Sequence, residues 1–416
     1  MKSINRSLLF CVLLFLCVVS AMAQDDVSLF TINGVVKDFR TKRLLSYATV
    51  TVLGTNVGTV TNSDGIFVLK CPVDKKTAVI EVSHIGYQTS KIVVGNIDQN
   101  EKETVFYLSS KEVVLGNVTV SPVNPSELVA QAISKISANY SNAPAMYTGF
   151  YRETVQKKKK YINIAEAVIN VYKTPYSQNN GRDRIRVSKG RKLVSPNPKD
   201  TLSVALQGGP NSAIFLDMVK NPGLLLSNDC LGYYHYEFVN YASIENRLQY
   251  IISFTPRVTV SDPLYEGLIY IDKETLTITR IEFSMEMANK EKVTDAILQK
   301  KPFGLHFNPI SVSYLVNYRR MGDLSYLNYV RAEVKFKCDW KKKLFHTNYG
   351  VVSEMVMTDR KDNPEEKISG KESFRDNGIL SDEVKNFYDS NFWGNYNIIE
   401  PTESLEHAVA KLKKLQ

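Results

Sequence analysis

From Leu29 to Leu108 apolar and polar residues alternate in short runs separated by Gly, Asn and Asp, the period-two pattern of half-buried strands. Thr31–Lys37 opens the series, and Ala48–Leu53 puts Val50 and Val52 on one face. Asn62-Ser63-Asp64-Gly65 is a turn suited to positive φ. Gly65–Leu69, Ala78–His84, Tyr87–Val94 and Thr104–Leu108 complete a set that predicts a small β-sandwich. A polar connector follows at 111–125.

Beyond it the period changes. Val129, Ile133, Ile136 and Tyr140 recur at helical spacing, so Ser126–Tyr140 reads as a helix with Ser126 as its cap and Pro144 just past its end. Tyr147–Gln156 and Tyr161–Tyr172 then form a hairpin around Lys157–Lys160. A basic, weakly patterned stretch (Arg182 to Lys199) precedes a short helix at Ala213–Lys220, which Pro222 stops. Leu248–Thr255, Leu264–Ile271, Leu276–Met287, Ile310–Arg319, Tyr326–Trp340 and Leu344–Thr358 are long strands with short connections, such as Asp272-Lys-Glu-Thr275 and Met321-Gly-Asp-Leu324. Consecutive strands joined this way predict an antiparallel meander. The tail carries Phe392-Trp393-Gly394 and then Leu405, Val409, Leu412 and Leu415, a short amphipathic helix capped at Thr402. It reads as an aromatic anchor and helix closing the large domain. The fold class is therefore mainly β: a sandwich, then a large antiparallel sheet with a few helices.

Gly34, Val36, Asp38, Thr41, Leu45, Ala48, Val50, Val52, Gly54, Thr55, Gly58, Thr61, Gly65 and Phe67 together resemble the carboxypeptidase regulatory-like domain of secreted and outer-membrane proteins of Bacteroidetes-type bacteria. His84-Ile-Gly86-Tyr87 is similar to a later segment of that family, and Leu44 stands where the family usually has proline. The resemblance implies an Ig/transthyretin-like β-sandwich that serves as a scaffold. Tyr265-Glu-Gly267-Leu-Ile-Tyr270-Ile-Asp272 with Ile278-Thr-Arg280-Ile281 resembles a hairpin of the lipoprotein-carrier-like half-barrels. That resemblance implies a curved sheet wrapped around a helix and an apolar ligand. The tail is similar to the ending of other Bacteroidetes exported proteins that begin with this module, which implies no particular activity. The resemblances divide the chain into a sandwich at 24–110, a linker at 111–125 and a large β domain at 126–416.

Composition adds compartment and exclusions. Residues 1–23 have the form of a secretory signal: Lys2 and Arg6, an apolar run from Leu8 to Val19, and Ala21-Met-Ala23 as a cleavage site. Neither Cys11 nor Cys17 follows a small residue, as a lipoprotein signal requires. No later stretch approaches the length of a membrane helix, and the strands after the connector are too few for a transporter barrel. The protein is expected to be exported, in the periplasm or associated with the outer membrane. The formal charge of +9 could favour anionic partners such as lipid headgroups or acidic glycans, but it reads first as a solvated surface with scattered lysines; basic and aromatic residues are not interleaved as a nucleic-acid groove requires, so no nucleic-acid partner is expected. Cys71, Cys230 and Cys338 are widely spaced, which excludes a CxxC motif and leaves open one disulfide or three buried thiols.

The motifs of hydrolytic chemistry are incomplete. The residues three after His84, His235, His306, His346 and His407 are Tyr87, Phe238, Pro309, Tyr349 and Ala410, so the His/Glu pair of a zinc carboxypeptidase is missing. There is no G-x-S-x-G elbow, and Gly208-Gly209-Pro210 lacks the Lys-Ser/Thr of a phosphate loop. Glu153 with Glu166, and Glu282 with Glu286, are strand carboxylates that could pair as acid and base. Asp38, Asn62 and Asp64 could hold calcium, but turn geometry already explains them. Asp200-Thr201-Leu202 matches a short O-glycosylation acceptor pattern. No catalytic, cofactor-binding or metal residue is assigned, and no cofactor is expected. The reading is a non-enzymatic envelope protein whose large domain binds an apolar ligand, glycan or outer-membrane protein partner. An envelope hydrolase with a scattered site and a structural adaptor remain the alternatives.

Overall fold

The computed structural model describes residues 29–71, 77–97, 102–111, 124–178, 183–200, 202–340, 346–376, 378–386, 389 and 391–414. The expected signal segment, Thr201 and most of the connector (112–123) lie outside these residues.

Among the described residues seven strands come first: β1 (Phe30–Asp38), β2 (Thr49–Val52), β3 (Gly58–Val60), β4 (Ile66–Cys71), β5 (Val79–Ser83), β6 (Ser90–Val93) and β7 (Thr104–Leu108). They form two sheets, β4-β1-β7 and β3-β2-β5-β6. Val36, Val50, Phe67, Leu69, Ile80, Val82 and Phe106 fill the space between them, as the alternation predicts. Gly34 is required there, because a Cβ on it would lie 2.4 Å from the Phe67 ring. The turn at Asn62 is built locally: its Oδ1 accepts from the Asp64 and Ile66 amides, and Gly65 takes φ +71°.

Thirteen further strands follow: β8 (Ala145–Lys157), β9 (Lys160–Lys173), β10 (Arg184–Val194), β11 (Ala205–Leu206), β12 (Tyr234–Ile244), β13 (Arg247–Pro256), β14 (Tyr265–Asp272), β15 (Ile278–Met285), β16 (Leu298–Lys300), β17 (Leu305–Met321), β18 (Leu324–Trp340), β19 (Thr347–Asp362) and β20 (Lys385–Asn386). Apart from the small β11–β16 ribbon they make one sheet of 11 strands in the order β12-β13-β14-β15-β17-β18-β19-β8-β9-β10-β20. Every pairing in it is antiparallel except β10–β20. The chain does not run through it as a simple meander. β8–β10 dock beside the last long strand, β19, so the chain crosses the whole sheet between β10 and β12.

Both faces of the sheet are covered in its middle. On one face lie the helix α1 (Pro125–Ser134), through Leu128, Val129 and Ala132, and a second helix, α2 (Gly209–Phe215). A third, α3 (Lys290–Ile297), packs through Val293 and Ile297 against Met285 and Val312. On the other face Val60 of the sandwich meets Phe150, Val168, Tyr329 and Val356 of the sheet, with Trp393, Ile398 and Ile399 of the tail between them. The closing helix α4 (Glu403–Lys413) buries Leu405 and Leu412 against Ile164 and Leu193 and is capped by Thr402, as predicted.

Several elements differ from expectation. β10 falls in the basic stretch given no structure, and β12 is absent from the predicted strands. Each carries a bulge, between Val187 and Lys189 and between Phe238 and Asn240, and one extra residue resets the alternation that reveals a strand. The first helix ends at Ser134, with a separate turn at Ile136–Asn139, and its cap is Asn124 rather than Ser126. The second begins at Gly209 and stops at Phe215, short of the expected Lys220. Gly209 takes φ +80°, and a Cβ on it would lie 2.7 Å from the Gly378 carbonyl; Gly208-Gly209-Pro210 is a helix entry. The tail does more than close the large sheet, because it also fastens the sandwich to it.

Candidate functional site

Strand register brings together residues far apart in the chain. Phe283, Tyr314, Ala332, Ser353 and Glu153 are successive cross-strand partners on β15, β17, β18, β19 and β8, so they form one row across the sheet. Ala332 and Ser353 are the small members of that row. Above them the cover consists of α2, α3 and the two-strand β11–β16 ribbon, which carry small residues such as Ala213 and Ala296. These short elements over the sheet leave a cavity of about 590 Å³. That size is usual for a small-molecule site. Its wall is largely apolar: Met285, Val334 and Val351 from the sheet, and Leu206, Ala213 and Ile297 from the cover. Phe215 also lines it and is half exposed.

Glu153 is the carboxyl on the sheet side of this wall. Alternation along β8 turns it to the same face as Tyr147 and Tyr151, and the Tyr151 hydroxyl donates to its Oε2 at 3.0 Å. Burial pushes the Glu153 carboxyl above the usual carboxylate range, opposed by the Tyr151 hydroxyl and the Gly209 amide. On the cover, Ser212 Oγ donates to the Gly208 carbonyl at 2.7 Å, and Asn211 Nδ2 to the Phe374 carbonyl at 3.0 Å. Those side chains tie down the helix entry.

Asp183, also in the cavity wall, belongs to a buried charge network. Lys173 Nζ lies 2.6 Å from Asp217 and 3.3 Å from Asp183, and Lys220 Nζ lies 3.8 Å from Asp183. Tyr176 and Tyr318 donate to the two Asp217 oxygens at 3.0 and 2.8 Å. Lys220 also donates to the Thr174 carbonyl at 2.6 Å. Burial pulls Lys220 down to about 8, whereas for Lys173 burial is outweighed by Asp217 and Asp183, which hold it above its usual value. Two cations face two anions, and hydrogen bonds occupy the carboxylates. Such a network ties β9 and β17 to the turn after α2.

The strand carboxylates that are candidates for pairing, with no role assigned, are not brought together. Arg152, not Glu153, stands opposite Glu166, so alternation sends Glu153 and Glu166 to opposite faces. Burial would raise Glu166, but Arg152 at 2.7 Å and Arg191 at 2.9 Å outweigh it and hold it below its usual range. Glu282 is engaged by Arg280 at 2.6 Å and by the Tyr270 hydroxyl at 3.2 Å, apart from Glu286. Asp38 accepts from the Thr41 amide, and Asn62 bonds the tail carbonyls of Glu400 and Pro401 at 3.2 and 3.0 Å. Asp64 caps Glu403 of α4 at 2.9 Å. All three are thus spent on turns and caps. Cys71, Cys230 and Cys338 are buried and unpaired, so the disulfide alternative falls. Burial drives the Cys71 and Cys338 thiols up to about 12 and about 11.

A second opening of about 440 Å³ lies on the opposite face, between Tyr47 of the sandwich and Arg280, Glu282, Arg331 and Glu333 of the sheet. Its lining is mixed, and its arginines are engaged: Arg280 lies 2.6 Å from Glu282, and Arg331 lies 3.2 Å from Glu333 and 3.0 Å from Glu354. Motif reasoning misses the cavity row because none of its members is rare. The one legible signal is Glu153 itself, an acid at an inward position of the Tyr147, Gly149, Tyr151 series.

Residues 32–120 match the family model of the CarboxypepD_reg-like domain, in agreement with the motif read at Gly34–Phe67. No curated protein matches the chain. Among solved structures, a DUF1329 family protein from Desulfovibrio piger is similar at 10% identity, over 59% of this chain and 96% of that one, with a TM-score of 0.27. A putative outer membrane lipoprotein-sorting protein domain from Vibrio parahaemolyticus gives 9% identity, 58% and 95% coverage and a TM-score of 0.26. A LolA superfamily protein from Nitrosomonas europaea gives 10% identity, 61% and 99% coverage and a TM-score of 0.20. Likeness this slight says nothing of a ligand or an activity. Among the described residues no helix is long and apolar enough to cross a membrane, and no cluster of acidic, His and Cys side chains has the form of a metal site.

Proposed function

We propose that this is an exported, non-enzymatic cell-envelope protein whose large β domain, 126–416, holds one apolar small molecule in the cavity over Ala332 and Ser353. The sandwich at 24–110 serves as its mount, and 1–23 as the export signal. The observation that carries the reading is the cavity itself: about 590 Å³, walled by apolar side chains of the sheet strands and their helical cover. Burial of an apolar ligand there is favourable at roughly 25 cal/mol per Å² of surface removed from water. Of the two alternatives, the hydrolase loses its strand-carboxylate pair, since Glu153 and Glu166 are split between two faces.

The test is binding of the neutral fluorophore N-phenyl-1-naphthylamine to the purified protein. Ala332→Trp places an indole between Tyr314 and Ser353, its two cross-strand partners. The wild-type protein should enhance and saturate the fluorescence, and Ala332→Trp should abolish that while keeping a cooperative unfolding transition. A wild-type protein that binds no apolar probe, and carries no lipid detectable by mass spectrometry after purification, overturns the reading.

A further inference from the structure

Glu153 is not explained by the packing of the cavity. It stands at one end of the row that runs through Ser353 and Ala332 to Tyr314, roughly 14 Å across the sheet at the usual strand spacing. On the cover the Gly209 amide, at the entry to α2, also donates to it. Among the described residues no Lys, Arg or His forms a salt bridge with it, and its donors, the Tyr151 hydroxyl and the Gly209 amide, are both neutral. An acid in an apolar enclosure with no cation beside it is costly to ionise. Other inward-facing acids of the same domain are treated differently: Asp183 and Asp217 each have a lysine.

The cavity also contains a cation, Arg184, but at a distance. Glu153 lies opposite Ala165 of β9, whereas Arg184 lies opposite Tyr172, seven residues further along that strand and therefore roughly 20 Å away. Arg184 donates to the Asp183 carbonyl at 3.1 Å. The two ends of the cavity therefore differ in chemistry.

From this arrangement we infer that the ligand is an apolar chain with a hydrogen-bond donor at its head, an amine or a hydroxyl, which Glu153 accepts at the Ser353 end of the cavity. The inference rests on the cavity-binding reading above. An amine head would complete the ion pair that the protein leaves unmade, and a hydroxyl would satisfy the free acceptor capacity of the carboxyl. A carboxylate head at that end would meet a like charge and no donor cation. The raised proton affinity of Glu153 fits an acid kept in apolar surroundings until a donor arrives.

The experiment is displacement of N-phenyl-1-naphthylamine from the full protein by an alkyl amine, an alkyl alcohol and an alkyl carboxylate of equal chain length, with the trimethylammonium analogue as a cation lacking a donor. The amine and the alcohol should displace the probe at concentrations at least about tenfold below the carboxylate. The trimethylammonium compound should fall behind the amine. In Glu153→Gln, checked for a cooperative unfolding transition like the wild type's, the gap between amine and carboxylate should shrink to within about threefold. A carboxylate that competes as well as the alcohol against wild type overturns the inference, as does an unchanged order in Glu153→Gln. Either result would leave cavity binding standing, because the probe is still bound and displaced. Failure of the wild type to bind the probe at all removes both.

Discussion

Asn397 grips the backbone of Lys70 in both directions: its Oδ1 accepts from the Lys70 amide at 2.7 Å and its Nδ2 donates to the Lys70 carbonyl at 3.0 Å. Lys70 is on β4, an edge strand of the three-stranded sheet, so one side chain of the tail takes the place of a neighbouring strand. Around it the tail also accepts from Thr59, at the Ile398 carbonyl (2.9 Å), and from Asn62. Arg152 of the large sheet donates to the Ile399 carbonyl at 2.8 Å. Residues 392–402 therefore bond the sandwich on one side and the sheet on the other.

Removing that grip should loosen the attachment of the sandwich. Asn397→Leu leaves an amide and a carbonyl of a packed strand edge without partners, a loss of roughly 1–3 kcal/mol. Urea denaturation followed by tryptophan fluorescence checks it, since Trp393 sits in this contact 5.2 Å from the Phe150 ring. A midpoint equal to the wild type's would mean that water replaces Asn397 without cost.

The same strap should make stability depend on pH. Glu400 is raised from 4.5 to about 7, by burial first, against the pull of Arg152 and Lys70 and with Glu166 and Glu406 adding to the rise. The folded chain thus holds this proton more tightly than the unfolded chain does. Stability is therefore full below the unfolded value near 4.5 and falls as pH climbs through about 7. Glu400→Gln should gain on the order of 1–3 kcal/mol over wild type at about pH 8 and almost nothing at about pH 4. Glu245, also pushed up to about 7 by burial, gives wild type and variant the same additional slope, so the difference between them is the readout.

The buried lysines test how far the cavity floor depends on charge balance. Asp217→Ala leaves Lys173 and Lys220 to share Asp183 alone and leaves the hydroxyls of Tyr176 and Tyr318 without their acceptor. Breaking one member of a buried pair costs roughly 3–5 kcal/mol. Adding Lys173→Met to Asp217→Ala should recover part of that loss, because the cation in excess over Asp183 is then gone. Thermal unfolding of the single and double variants decides it; a double variant no better than the single would mean the tyrosines, not the lysine, carry the cost.

Alternation, turn residues and caps depend on neighbours a few positions away, so the sequence alone determined the sandwich strands, the Asn62 turn, the hairpin at Asp272 and the Thr402 cap. It also determined that the large domain is antiparallel β. Where a bulge shifts the period, as at Val187 and Phe238, that local signal disappears, and β10 and β12 are unreadable. Only the tertiary structure decided that β8 pairs with β19, and hence that Glu153, Ser353, Ala332 and Tyr314 stand in one row. It likewise separated Glu153 from Glu166, which a list of strand carboxylates cannot do without register. The reason is physical: the pattern on a strand records which face is buried. The strand it lies beside, and the space left between sheet and cover, are set by packing among segments more than a hundred residues apart.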